Sequence, residues 1–232
     1  MKEIITFLRE LQANNNREWF AAHKDEYNKA TATFHSFAQR MIDMIATFDS
    51  AAAHLSVKDC TYRIYRDVRF SADKRPYKIH MGLFINPPYG KRINTCGYYI
   101  HIEPGHSMIC AGTIGLESKV IKAIRQAIFD NIDEYRAIVE SPEFKGCFSC
   151  LGDNFLKTAS KGFPKDWEHI DYIRPRDFIA YQPVDDDFLC SDDIVEKLKK
   201  YCIQAKRFND FINFTIEDFI EGTSSEPLPH IY

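Results

Sequence analysis

Residues 96–113 read CGYYIHIEPGHSMICAGT, and the alternation in them decides the architecture. Tyr98, Ile100 and Ile102 alternate with Tyr99, His101 and Glu103, so an extended chain here has one apolar side and one polar side. Pro104 and Gly105 then form a two-residue turn into a second run over 106–113. A loop this short permits only an antiparallel neighbour, because a parallel return needs a long crossover. In such a hairpin Glu103 faces His106 and His101 faces Met108.

Upstream, the same period-two pattern predicts strands near 61–66 and 79–86. Ile79, Met81, Leu83 and Ile85 share one face and leave His80 on the other, and the Asn86, Pro87, Pro88, Tyr89, Gly90 loop leads on to the hairpin. A further strand is predicted near 177–182. Helical spacing governs both flanks. Ile4, Ile5, Phe7, Leu8 and Leu11 predict a first helix stopped by Asn14–Asn16, with Asn16 as the next N-cap. Phe20, Tyr27, Phe34, Met41 and Phe48 then recur every seven residues as one core-facing stripe of a single long helix.

Downstream, helices are predicted at 117–130 and 132–140, with another starting at Ser141 and Pro142. The last begins at Ser191 and has a face running from Ile194 through Leu198, Cys202, Ala205, Phe208 and Ile212 to Phe219. Helices, then strands, then helices, without βαβ alternation, predict an α+β fold. The expected architecture is a single domain over 1–222, with a largely antiparallel sheet of about five or more strands packed on N- and C-terminal helices. Residues 223–232 read as a flexible tail.

The 232-residue chain, with 45% hydrophobic residues, eighteen Phe and twelve Tyr, has ample material for one large core, which excludes disordered and low-complexity classes. A net charge of −3 offers no global field for a polyanion. Seven cysteines, an odd number, together with charged residues scattered through the first sixteen positions, predict a reducing cytoplasmic setting. No apolar run is long enough to cross a membrane, so no membrane partner is expected.

One segment departs from that charge balance. RIYRDVRFSADKRPYKIH, residues 63–80, carries six basic side chains against Asp67 and Asp73, a net of +4, so the other 214 residues sum to −7. Arg63, Arg66, Arg69, Lys74 and Lys78 are the candidate anion-binding groups, with Tyr65, Phe70 and Tyr77 available to stack on a planar ring. On the polar strand face His101 and Glu103, assisted by His80 or Tyr99, are candidate acid/base residues. His101, Glu103 and His106 form a weaker metal-ligand set, since two imidazoles and a carboxylate suit Zn or Fe(II). Lys157, Lys161, Gly162, Phe163 and Lys165 lie in a long basic segment that reads first as a solvated connection, with a basic lid over the sheet face as the alternative. The lone Cys147/Cys150 pair lacks the βαβ context of a redox motif, and no phosphate loop, dinucleotide fingerprint or nucleophile elbow occurs.

The blocks FLRELQANNNREWFAAHKDEY (7–27), RIYRDVRFSADKRPYKIH, GYYIHIEPG (97–105) and KGFPKDWEH (161–169) resemble, in order, a bacterial and fungal family known as domain of unknown function 2461. The resemblance implies a free-standing cytoplasmic α+β protein and brings no reaction or cofactor. Its pattern singles out Arg63, Arg66, Asp67, Arg69, Phe70, Ser71, Asp73, Lys74, Pro76, Tyr77, Lys78 and His80, then Tyr99, His101, Glu103, Pro104 and Gly105.

Three functional expectations follow. The first is an enzyme or binder for an anionic small molecule, phosphorylated or nucleotide-like. The second is a nucleic-acid or protein-binding module, against which the net charge and the lack of a basic tail both argue. In the third, the basic cluster is a structural ion-pair network with Asp67 and Asp73 and takes no ligand. Cofactor and oligomeric state have no sequence signal.

Overall fold

A computed structural model describes residues 1–69, 71–158 and 160–220. The predicted tail at 223–232 and the stacking assigned to Phe70 lie outside them. Strands β1 (Met81–Ile85), β2 (Gly97–Ile102), β3 (Ser107–Thr113), β4 (Cys150–Asp153) and β5 (Asp177–Val184) form one antiparallel sheet in the order β1-β2-β3-β5-β4. The α+β class and the antiparallel sheet packed on terminal helices are as the sequence pattern predicts.

The central hairpin keeps the predicted register. His101 faces Met108, and the His106 N–H donates to the Glu103 carbonyl at 2.9 Å across the Pro104–Gly105 turn. Alternation sorts the side chains as expected. Leu83, Ile85, Tyr98, Ile100, Ile102, Ile109 and Ala111 enter the core, while Gly82, His101 and Met108 align across the other face, as do Phe84, Tyr99, Cys110 and Tyr181.

The core lies between the apolar sheet face and the helices. Helix α1 (Lys2–Ala13) packs on α3 (Lys24–Ala46), and α9 (Ile194–Ile220) crosses β2 and β3 and meets α3. The short α4 (Val57–Cys60) meets β1. α5 (Ser118–Asp130), α6 (Ile132–Val139) and α7 (Pro142–Lys145) pack against α9, and the short α8 (Asp186–Leu189) lies between β5 and α9 in the chain. The predicted α9 face is buried from Ile194 to Ile212. Asn209 on that helix accepts the Gly112 N–H at 2.8 Å, where Gly112 has φ +100 and a Cβ would strike the Phe178 carbonyl at 2.1 Å. Only glycine fits that turn of β3.

Three predictions need correction. The single long N-terminal helix is two: α2 (Arg17–Ala22), capped by Asn16 as expected, ends at His23. The His23 imidazole bonds the Trp19 carbonyl at 2.8 Å and stacks on the Trp19 ring, while the seven-residue stripe continues in phase and conceals the break. Strand 61–66 is reduced to bridges at Thr61 and Tyr65. Its backbone pairs irregularly with 76–78, through Arg66 N–H to the Pro76 carbonyl and Lys78 N–H to the Ile64 carbonyl. Between them Asp67 and Asp73 each accept the backbone N–H two residues on, a local turn that competes with a ladder. Finally β4, within a stretch read as loop, is a short strand on the β5 edge.

Phe208 is fully buried against Tyr135 and Phe144. Phe208→Ala is expected to cost about 3 to 5 kcal/mol in urea unfolding. A loss below about 1 kcal/mol would show that α9 does not anchor the core.

Candidate functional site

The helices leave one sheet face uncovered, and a cavity of about 170 Å³ lies on it. Its walls are mostly apolar, with Phe84, Met108, Cys110 and Ile179 from the sheet. Tyr62, Arg63, Lys78 and His80 close it from the 61–80 segment. Arg63, Tyr62 and His80 also wall a neighbouring hollow of about 270 Å³.

The basic segment divides into two populations. Arg66 bonds Asp73 at 2.6 Å and Arg75 bonds the same carboxylate at 2.7 Å. Arg69 holds Asp67 in a fork, with its Nε 2.9 Å from Oδ1 and its Nη2 2.6 Å from Oδ2. Lys74 donates to the Val68 carbonyl. These four do not line the cavity, so the expectation that Arg66, Arg69 and Lys74 gather there with the others is corrected: the aspartates two residues before Arg69 and Arg75 capture the charges locally. Arg63 and Lys78 do line it, and neither makes an ion pair among the described residues. Lys78 lies over the Tyr62 ring at 5.4 Å, and burial, then the nearby Arg63 and Arg66, lower its pKa.

The expected aromatic stacking goes elsewhere too. Tyr77 lies flat on Phe20 at 4.0 Å and Tyr65 packs edge-on to the same ring. Asn15 fixes the Tyr77 backbone by exchanging two hydrogen bonds with it.

Beside the cavity, whose walls include Tyr99 and His80 but not His101 or Glu103, the polar alternation of β2 builds a chain of contacts. The Tyr99 hydroxyl is 2.9 Å from His101 Nδ1, and His101 Nε2 is 2.9 Å from Glu103 Oε2. One tautomer satisfies both bonds: the hydroxyl donates to Nδ1 while Nε2–H donates to the carboxylate. The His80 ring lies 4.5 Å from that of His101, and neither of its nitrogens is hydrogen-bonded among the described residues. Burial, with His101, Lys78 and Arg66 adding positive charge, pulls the His80 pKa down to about 3, so this ring is neutral at neutral pH. Burial raises that of Tyr99, which stays protonated. Burial pushes the Cys110 thiol up to about 12, which disfavours its thiolate at neutral pH.

One ligand atom from each of His80, His101 and Glu103 falls within 4.8 Å of the others. Of the weak metal candidates His101, Glu103 and His106, only the first two fall in this group. His106 is exposed and outside the cluster, and His80 arrives instead from the segment preceding β1. Sequence reasoning missed Gly82, whose absent side chain admits the Tyr99 ring; a Cβ there would stand 2.9 Å from the hydroxyl. A glycine inside an apolar strand was the available signal. The proposed lid does not cover the site: Lys157, Lys161, Gly162, Phe163 and Lys165 are not among the cavity walls, and Phe163 is buried against Phe129. Cys147 is buried and bonds the Lys200 carbonyl, and Cys150 sits on β4.

Fold and site together define an α+β protein with a one-sided antiparallel sheet and a partly cationic pocket on its open face. The chain belongs to the family described as conserved hypothetical protein (DUF2461), whose model matches residues 3–211, in agreement with the resemblance of its sequence blocks. No curated protein and no solved structure matches it. Among the described residues no helix is long and apolar enough to cross a membrane.

The ion pairs make a prediction about acid. The Arg69 fork holds Asp67 down at about 2, and the bonds from Arg75 and Arg66 lower Asp73 as well. A depressed folded-state pKa gives stabilisation that is complete above the unfolded value near 4 and lost as pH falls through the folded value. Melting temperature is thus expected to drop between about pH 4 and pH 2. In Asp73→Asn the drop should be shallower and start from a lower plateau, and a profile parallel to the wild type would contradict this assignment.

Proposed function

We propose that the open sheet face binds an anionic small molecule, with Lys78 and Arg63 as its cationic end and the His80, Tyr99, His101, Glu103 cluster as its reacting end. The observation that carries this reading is selective pairing. Aspartates pair with Arg66, Arg69 and Arg75, whereas the two cations at the cavity form no ion pair among the described residues. A carboxylate or phosphate accepts from both.

Size narrows the class. A cavity near 170 Å³ encloses about six to ten non-hydrogen atoms, since one of about 150 Å³ holds benzene. The apolar walls favour a compact aryl or alkyl body with one anionic group, and a whole nucleotide would extend beyond them. Proton transfer is the chemistry that the His101–Glu103 pair supports unaided, with the carboxylate orienting the imidazole. The structural reading keeps its own domain, because the Arg66–Asp73–Arg75 and Arg69–Asp67 pairs secure the turns of the 61–80 segment. Seven free thiols favour a reducing, cytoplasmic setting.

The test is thermal stability against benzoate, phenyl phosphate and inorganic phosphate. A true ligand at about 100 times its Kd adds about 2.7 kcal/mol, raising Tm by about 5 to 10 °C. Lys78→Ala is expected to abolish the shift, and Arg69→Ala to retain it. No shift with any compound at millimolar concentration, or an equal shift in Lys78→Ala, would refute the proposal.

A further inference from the structure

We infer that His80, His101 and Glu103 form a binding site for a divalent first-row transition metal, of the Zn or Fe(II) class, beside the cavity that His80 lines. Two imidazoles and one carboxylate are a recurrent donor set for these ions, and three protein ligands leave positions for water or substrate. The inference goes beyond the anion reading and does not depend on it, because metal uptake is measured with no organic ligand present.

Three observations converge. The ligand atoms lie within 4.8 Å of one another. In a tetrahedral site with bonds near 2.1 Å, ligand atoms stand about 3.4 Å apart, so the set is within about 1.4 Å of the spacing an ion requires. His80 is the telling member. Its ring packs against that of His101 at 4.5 Å and makes no hydrogen bond among the described residues, which leaves its nitrogens available to an ion.

The third observation is the Tyr99 hydroxyl on His101 Nδ1. A ligating imidazole nearly always gives its other N–H to an outer acceptor, which fixes the tautomer. A hydroxyl can reverse its role: it donates to Nδ1 when Nε2–H faces Glu103, and it accepts from Nδ1–H when Nε2 carries a metal. Gly82 makes room for that ring. Among the cations near the cluster, Arg66 and Arg75 already share Asp73, so Lys78 and Arg63 are the ones beside it without an ion pair among the described residues. An anion held by Lys78 would offset that charge and reach the open coordination positions.

Chelator-treated full-length protein is titrated with Co²⁺, read by visible absorption and calorimetry. The expected result is one saturable equivalent with ligand-field bands, displaced by Zn²⁺. His80→Gln and Glu103→Gln should each weaken binding at least tenfold, Tyr99→Phe by roughly tenfold, and His106→Ala not at all. Circular dichroism of each metal-free variant separates lost binding from lost folding. As a measurement free of substitutions, imidazole NMR on adding Zn²⁺ to the wild type should move His80 and His101 among the eight histidines. Absence of saturable binding, unchanged affinity in a folded His80→Gln, or shifts at other histidines alone would overturn the inference.

Discussion

The interaction on which the structure depends is burial of one face of an antiparallel sheet. The apolar set Leu83, Ile85, Ile100, Ile102, Ile109 and Ala180 is covered by α9 and the N-terminal helices. Because side chains alternate, that burial forces Tyr99, His101, Met108 and Cys110 to the opposite side. A one-residue slip would exchange the two sets, placing an imidazole in the core and isoleucines in the cavity. The register that stabilises the protein is the register that assembles its polar groups.

Charge pairing supplies the second constraint. A run of +4 suggests a broad cationic surface, yet Asp67 and Asp73 absorb three arginines within their own turns. Local geometry favours this: an aspartate two residues before an arginine bonds both its backbone N–H and its guanidinium. The positive field left at the cavity comes from Arg63 and Lys78, which makes the segment a structural turn and the edge of the sheet-face cavity at once.

Much of this was legible in the sequence. Period-two alternation located β1, β2 and β3 and placed Tyr99, His101 and Glu103 on one face, because both follow from local covalent geometry. Tertiary facts were not accessible in this way. That His80 and not His106 joins His101 depends on how the irregular 61–80 segment folds over the β1 edge, which no periodicity encodes. The fate of the arginines turned on side-chain capture within two residues, and the break at His23 on one imidazole competing for a backbone carbonyl. The placing of the 157–165 segment away from the cavity rests on Phe163 meeting Phe129 on α5, a contact between distant segments.

The central claim is that the uncovered sheet face, at Lys78 and Arg63, is where an anion binds. A crystal structure of the protein grown in phosphate tests it most directly. The account predicts ordered tetrahedral density in the sheet-face cavity, within hydrogen-bonding distance of Lys78 Nζ and the Arg63 guanidinium and facing the His80 ring. Density confined to Arg69, Lys74 or other exposed cations, with the cavity holding only water, would contradict it.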